Sequence, residues 1–151
     1  MAEKNEFERR REAFDRSWAA KGWNETIKLG DALRRDFRDK FQEDKRLITR
    51  LASAYYNRGL DNRIASNLDK AIADHTKAIE VRPDFYQAYN SRGFAYAEKN
   101  EYDTAIADYD KAIELRPDNA ATYDNRGTAY LRKGEFDKAI ADFGKVTEIR
   151  P

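Results

Sequence analysis

Apolar side chains recur at helical spacing along the chain, and from residue 84 onwards the same pattern occurs twice. In residues 101–117, EYDTAIADYDKAIELRP, positions 105, 106, 109, 112 and 113 are apolar, which is the spacing of an amphipathic helix. Residues 135–151, EFDKAIADFGKVTEIRP, repeat the pattern 34 residues later. We therefore predict an all-α fold that is built from a repeating helical unit.

The period of 34 residues sets the predicted organisation of the chain. Prolines at 83, 117 and 151 and glycines at 59, 93 and 127 all follow an arginine, and both series step by 34. Residues 84–117 and 118–151 share 17 identical positions out of 34, too many for chance. We predict three repeats, 51–83, 84–117 and 118–151, behind a helical N-terminal segment, 1–50.

Each repeat is predicted to be a pair of helices joined by a short turn. Tyr89, Gly93 and Tyr96 share one face of a first helix, where the glycine leaves room for a second helix to approach closely. Pro117 ends the second helix of that repeat. Aspartates are predicted to cap the helices: Asp69, Asp103 and Asp137 the second helices, and Asp84 and Asp118 the first helices.

The unit resembles the tetratricopeptide repeat. The aromatic, glycine, alanine and proline positions of that family are matched by Tyr89, Gly93, Tyr96, Ala105, Tyr109, Ala112 and Pro117, and by Tyr123, Gly127, Tyr130, Ala139, Phe143, Val146 and Pro151. The earlier repeat departs from the pattern, with Asn62 and His75 at two aromatic positions. The resemblance implies a right-handed α-solenoid whose first helices line a concave groove for a peptide or a partner helix.

The same resemblance places nine residues in this groove. They are Tyr56, Asn57, Leu60, Asn90, Ser91, Phe94, Asp124, Asn125 and Thr128. Asn57 and Asn125 match a family position whose asparagine grips a peptide backbone, whereas Ser91 interrupts that series. Members that clamp the terminal carboxylate of a chaperone use a lysine and an asparagine where this chain has Tyr56 and Leu60, which argues against that role.

Residues 1–50 contain no in-phase copy of the repeat. Phe7, Phe14 and Trp18 share one helical face, a break follows at residues 21–22, and apolar positions resume at Ile27. We predict two helices, forming a degenerate hairpin or a cap on the first repeat, with a partner-binding or dimerising segment as the alternative. Because no proline or glycine occurs in residues 31–58, the second helix is expected to continue into the first repeat as one long helix.

Charge and composition indicate no class of partner other than protein. Lysine and arginine number 29 against 28 acidic residues, so no net field favours nucleic acid or an anionic membrane. The sequence has no cysteine, no run of 18 apolar residues and no apolar core of a signal peptide, and we expect a cytoplasmic protein.

The sequence carries no catalytic motif, and we predict neither enzymatic activity, nor a metal site, nor a cofactor. Its single histidine, His75, occupies a packing position and lacks the partners that a metal site requires. The predicted function is a non-catalytic scaffold for protein–protein interaction. The alternative is a solenoid that forms homo-oligomers through its N-terminal helices or its uncapped last repeat. In the last repeat we expect the side chains of Tyr130, Phe136 and Phe143 to be partly exposed to solvent. We also expect Phe136 to lie between the last two helices.

Overall fold

The structure, a computed structural model, describes residues 5–150, which fold into nine α-helices without a strand. The helices are α1 (Glu6–Ala19), α2 (Trp23–Asp36), α3 (Arg38–Glu43), α4 (Lys45–Ile64), α5 (Leu68–Val81), α6 (Tyr86–Glu98), α7 (Tyr102–Leu115), α8 (Ala120–Lys133) and α9 (Phe136–Ile149). The predicted all-α fold is confirmed. Within the described range, no helix has the length and apolar character needed to cross a membrane.

The helices pack as consecutive hairpins, α1–α2, α4–α5, α6–α7 and α8–α9, and each hairpin stacks on the one before it. Helices α4, α6 and α8 also touch one another, so they form the inner wall of the solenoid. Every hairpin turn contains one residue with a left-handed backbone: Lys21 (φ 55°), Ser66 (φ 60°), Asn100 (φ 63°) and Gly134 (φ 79°). The turn between α1 and α2 therefore shares the geometry of the later ones.

A glycine in the first helix of a hairpin lies against a ring in the second. A Cβ atom at Gly93 would lie 2.9 Å from Cε1 of Tyr109 and 3.0 Å from the carbonyl oxygen of Ala105. The same contact recurs between Gly127 and Phe143, where the distance would be 2.9 Å. The predicted close approach at Gly93 is confirmed, because any larger side chain would force the two helices apart.

Repeated arginines tie each hairpin to its neighbour. The guanidinium group of Arg92 donates two hydrogen bonds to Asp108, at 2.8 and 2.7 Å, and a third to Thr76 of the preceding hairpin, at 3.0 Å. The equivalent pairs are Arg58–Asp74, with a third bond to Asn24, and Arg126–Asp142, with a third bond to Asp110. These buried aspartates make the arginines structural rather than ligand-binding residues.

The expected long helix between residue 31 and residue 58 is wrong, because the chain breaks at Phe37 and again at Asp44. Phe37 leaves helical geometry (φ −136°, ψ 49°), and its ring packs 5.4 Å from that of Phe7. At the second break the Asp44 carboxylate caps α4 by accepting hydrogen bonds from the amides of Arg46 and Leu47. A side-chain cap and an aromatic contact thus end these helices without proline or glycine. The predicted boundary at residues 50/51 falls inside α4.

The predicted aspartate caps are also wrong. The N-cap residues of α5, α7 and α9 are Asn67, Glu101 and Glu135, and those of α6 and α8 are Phe85 and Asn119. The first helical turn instead contains Asp69, Asp103 and Asp137. There the helix dipole stabilises a negative charge. Asp84 and Asp118 pair with Arg82 and Arg116 in the loops between hairpins.

Phe136 is not buried between α8 and α9, contrary to expectation. Its side chain is 61% exposed, whereas Tyr130 and Phe143 are half-buried. Phe136 is the first residue of α9 and corresponds to Tyr102 in α7, which packs against the core that α7 forms with α8. Phe136 therefore faces the side on which a following hairpin would stack, and Phe143 fills the space inside its own hairpin.

Candidate functional site

A hollow of about 590 Å³ opens on the inner wall between α6 and α8. Its floor and sides come from both helices, from the turn before α7 and from α7 itself. The lining residues are Phe94, Ala97, Glu98, Asn100, Tyr102, Tyr109, Asp124, Asn125, Thr128, Ala129 and Arg132. Four of the nine predicted groove residues, Phe94, Asp124, Asn125 and Thr128, are thus brought together in one place.

A side-chain amide pair lies at the edge of this hollow. The Nδ2 atom of Asn125 donates a hydrogen bond of 3.1 Å to Oδ1 of Asn90. Each amide keeps one group without a hydrogen-bond partner among the described residues, the Oδ1 acceptor of Asn125 and the Nδ2 donor of Asn90. Although Ser91 interrupts the asparagine series, Asn90 next to it supplies the missing amide.

Phe94 provides an apolar surface beside the amide pair. Its side chain is 37% exposed, and the guanidinium group of Arg63 lies 5.0 Å from the ring centroid. Arg63 also approaches Glu98, at 3.8 Å. Because Glu98 and Asp124 carry negative charge and Arg63 and Arg132 positive charge, the inner wall around Phe94 is close to neutral overall.

The other predicted groove residues do not line the hollow. Tyr56 packs its ring 5.5 Å from that of His75 and 5.1 Å from that of Phe85, inside the contact between successive hairpins. Asn57, Leu60 and Ser91 are half-buried on the inner helices. The structure therefore separates a packed part of the inner wall, on α4, from an open part between α6 and α8.

Asn100 and Tyr102 are among the lining residues that the sequence did not predict as part of the groove. The hydroxyl of Tyr102 donates a hydrogen bond of 2.7 Å to Oδ1 of Asn100, which has the left-handed backbone of the hairpin turn. The sequence signal was the break at residues 99–100, which indicates a turn. Only the packing of α6 on α7 shows that the side chains after this turn reach the inner wall.

His75 contributes to the core and not to the site. It is fully buried, neither ring nitrogen has a hydrogen-bond partner among the described residues, and burial lowers its pKa to about 4. The imidazole is therefore neutral at physiological pH. Residues 5–150 also contain no group of three histidine, aspartate or glutamate side chains that could hold a metal ion. The open part of the inner wall offers amide hydrogen bonds and an apolar ring.

Comparison with protein families matches the repeated part of the chain. A model described as TPR repeat matches residues 95–134, and two models described as tetratricopeptide repeat match residues 76–107 and 120–151. Together these three matches span residues 76–151. A search among curated proteins found no match.

Solved structures resemble the chain over most of its length. The crystal structure of MamA superimposes with a TM-score of 0.65 at 25% identity, covering 98% of this chain and 96% of that one. The second TPR of Spaghetti (RPAP3), bound to the HSP90 peptide SRMEEVD, gives 0.64 at 25% identity, covering 66% and 92%. The TPR2B domain of yeast Sti1, in complex with pHsp70, gives 0.64 at 26% identity, covering 65% and 78%.

Proposed function

We propose that this chain, which belongs to the tetratricopeptide repeat family, is a non-catalytic scaffold that binds an extended peptide segment of a partner protein on its inner wall. The proposed site is the open part between α6 and α8, around Phe94, Asn90 and Asn125. One of the similar structures is described as bound to an HSP90 peptide and another as a complex with pHsp70, which supports the same use of the fold here.

The observation that carries the proposal is the hydrogen bond between Asn125 and Asn90. It fixes the two amides, with 3.1 Å between Nδ2 of Asn125 and Oδ1 of Asn90, so that Asn125 offers an acceptor and Asn90 a donor. An extended peptide presents backbone N–H and C=O groups along its edge, and such a pair can bind both whatever the side chains of the peptide are. Main-chain recognition of this kind supplies affinity without strict sequence selection.

Phe94 is the proposed source of selectivity. Its partly exposed ring offers an apolar contact next to the amide pair, so a peptide with an apolar or aromatic residue at that position should bind best. The nearly balanced charges of Arg63, Glu98, Asp124 and Arg132 favour neither a strongly acidic nor a strongly basic segment. We therefore propose an internal, largely neutral segment as the ligand.

A terminal carboxylate is not the proposed ligand. Tyr56 and Leu60 stand where carboxylate-clamping relatives place a lysine and an asparagine, and the Tyr56 ring is engaged with His75 and Phe85. At these two positions the inner wall carries neither the cation nor the amide with which those relatives hold a carboxylate. The amide pair on α6 and α8 is the feature that remains available to a ligand.

Selection from a random peptide library displayed with blocked C-termini tests the proposal. We expect binders with an apolar residue, and the variants Asn125→Ala and Phe94→Ala should each weaken binding of the best peptide by about fivefold or more. Lys111→Ala, which alters an exposed pair with Glu114 on the outer helix α7, serves as the control and should leave affinity unchanged. Failure to select any peptide, or equal affinity in all variants, would show that the inner wall is not the site.

The cytoplasmic location is also a proposal. A chain without cysteine needs no oxidising compartment to fold, which is compatible with a reducing environment. The distribution of the tagged protein between cell fractions tests it.

A further inference from the structure

Three of the five exposed large hydrophobic side chains in the described part of the chain lie on α9 or at the adjacent end of α8. Ile140 is 68% exposed, Phe136 61%, and Leu131, at the adjacent end of α8, 47%. We define the α9 face as Phe136, Asp137, Ile140, Ala141 and Gly144, which recur along one side of the helix at a spacing of three to four residues. Clustered exposed side chains of this size mark contact surfaces in soluble proteins.

The chain itself shows what such a face looks like when it is covered. Ile106 occupies in α7 the position that Ile140 occupies in α9, and it is only 8% exposed because α8 packs over it. The two isoleucines thus differ in burial although they hold the same place in the repeat. The side of α9 that carries Ile140 is therefore built to lie against another helix.

Helices α5 and α7, which the next hairpin covers, each make a hydrogen bond to that hairpin that α9 lacks among the described residues. Asp69 accepts a hydrogen bond of 2.8 Å from Lys99 of the covering hairpin, and Asp103 accepts one of 2.5 Å from Lys133. Asp137 holds the same position in α9 and has no such partner in residues 5–150. A helix that covers the α9 face should therefore bring a lysine to Asp137.

One position of the α9 face departs from the covered faces. Thr76 and Asp110 accept a hydrogen bond from an arginine of the next hairpin, but the corresponding residue in α9 is Gly144. A Cβ atom there would meet no other atom of the described residues within 4 Å. A covering helix of the α6 or α8 type would find no acceptor for its arginine at this point, whereas a flat, close contact is possible.

We propose that a second copy of this chain covers the α9 face, through an antiparallel pairing of the two α9 helices about a two-fold axis near Ala141. Asp137 and Lys145 lie four residues on either side of Ala141, so this axis sets Asp137 opposite the partner's Lys145. Two-fold symmetry forms the pair twice, as an isologous interface requires. The α9 helix of each copy thus supplies the lysine that Asp137 of the other copy lacks.

The small residues of the α9 face allow this pairing. Exposed Ala141 at the crossing point and Gly144 one turn further let the two helices approach closely, so that Phe136 and Ile140 of each copy become buried. Among residues 5–150 of the single chain, Lys145 pairs only with Glu148, three residues away and well exposed. An exposed pair of this kind contributes little to stability. Lys145 can therefore leave Glu148 and pair with Asp137 of the second copy at little cost in free energy.

Sedimentation equilibrium of the full chain across micromolar concentrations tests the pairing. We expect a reversible dimer for the unchanged chain and a monomer for Ile140→Asp, with the same circular dichroism spectrum because Ile140 is exposed in the single chain. Asp137→Lys and Lys145→Asp should each raise the dimer dissociation constant by about tenfold or more, since each places like charges opposite one another twice. Combining both substitutions restores opposite charges and should restore the dimer.

The chain provides a matched control and clear contrary outcomes. Lys111→Asp alters the equivalent lysine of α7, which pairs with Glu114 as Lys145 pairs with Glu148, and it should leave the dimer unchanged. A monomer at all concentrations, a dimer that survives Ile140→Asp, or a double variant that stays as weak as the single ones would each overturn the proposal. Peptide binding to Ile140→Asp measures the inner wall separately, so failure of one proposal does not affect the other.

Discussion

The imidazole ring of His75 packs directly against the backbone of Gly59. A Cβ atom at residue 59 would lie 2.6 Å from Cε1 of the histidine, closer than real Cβ atoms approach. Tyr109 and Phe143 fill the same space in the next two hairpins. A titratable ring therefore occupies a position that the other repeats give to a phenol or a benzene ring.

Replacing His75 with phenylalanine should remove a pH-dependent loss of stability. Unfolded His75 binds a proton near its ordinary pKa of 6.5, whereas burial lowers the pKa in the folded state to about 4. Between these values the unfolded state binds more protons, so acidification from pH 6.5 towards pH 4 should lower the free energy of unfolding. The loss reaches up to about 3 kcal/mol.

Urea unfolding of the unchanged chain and of His75→Phe, at several pH values between 4 and 7, measures this effect. The two proteins differ only at residue 75, so the difference between the two curves reports the effect of the histidine. We expect that difference to widen as the pH falls. Parallel curves would mean that His75 is hydrated or hydrogen-bonded in the folded chain.

Gly93→Ala should destabilise the chain, although alanine favours helices by about 1 kcal/mol over glycine. The added methyl group would lie 2.9 Å from the Tyr109 ring and 3.0 Å from a backbone oxygen, and we expect a net loss of about 1–2 kcal/mol. Gly144→Ala is the control, because nothing lies near its Cβ position in the single chain and the helix gain should prevail. Chemical unfolding at a concentration that keeps the chain monomeric compares them, and equal effects would refute the close approach.

Arg92→Leu should cost about 2–3 kcal/mol, because it leaves the buried carboxylate of Asp108 without its two hydrogen bonds. Thermal melting of this variant is best compared with Lys111→Ala. Lys111 and Glu114 form an exposed pair, whose loss should cost less than about 0.5 kcal/mol. Similar melting temperatures for the two variants would show that the arginine series does not hold the hairpins together.

Phe136→Ala should leave the monomer almost as stable as before, with a loss below about 1 kcal/mol, since the ring is 61% exposed. Phe143→Ala should cost more, about 2 kcal/mol, because that ring lies against Gly127 inside the hairpin. Denaturant titration below the concentration of any dimer distinguishes the two. If Phe136→Ala proved the more harmful, α9 would have to lie in a different rotation about its axis.

The repeat could be predicted because the residues that contact one another within each hairpin recur at a fixed spacing in the sequence. The pair of Gly93 and Tyr109 recurs 34 residues later as Gly127 and Phe143. The pair of Arg92 and Asp108 recurs at the same spacing as Arg126 and Asp142. The breaks at Phe37 and Asp44 could not be predicted in the same way. They depend on an aromatic contact with Phe7 and on a carboxylate cap, and neither follows a period.

The candidate site could be predicted only in part from the sequence. The predicted groove positions share one side of the first helices, but sequence spacing does not say which of them another ring will cover. Packing against His75 and Phe85 engages Tyr56, whereas Phe94 stays partly exposed in the hollow between α6 and α8. The bond between Asn125 and Asn90 joins residues of two different repeats and appears only when the hairpins stack.

Within the repeats, the sequence by itself determined the helices, their pairing and the family, because these follow from local periodicity and from contacts within one 34-residue unit. The tertiary structure alone decided which equivalent residues are buried and which remain open. Ile106 and Ile140 have the same place in the repeat, yet only Ile106 lies beneath a following helix. Burial is a property of the neighbours that stack on a residue, and stacking joins parts of the chain that local spacing does not relate.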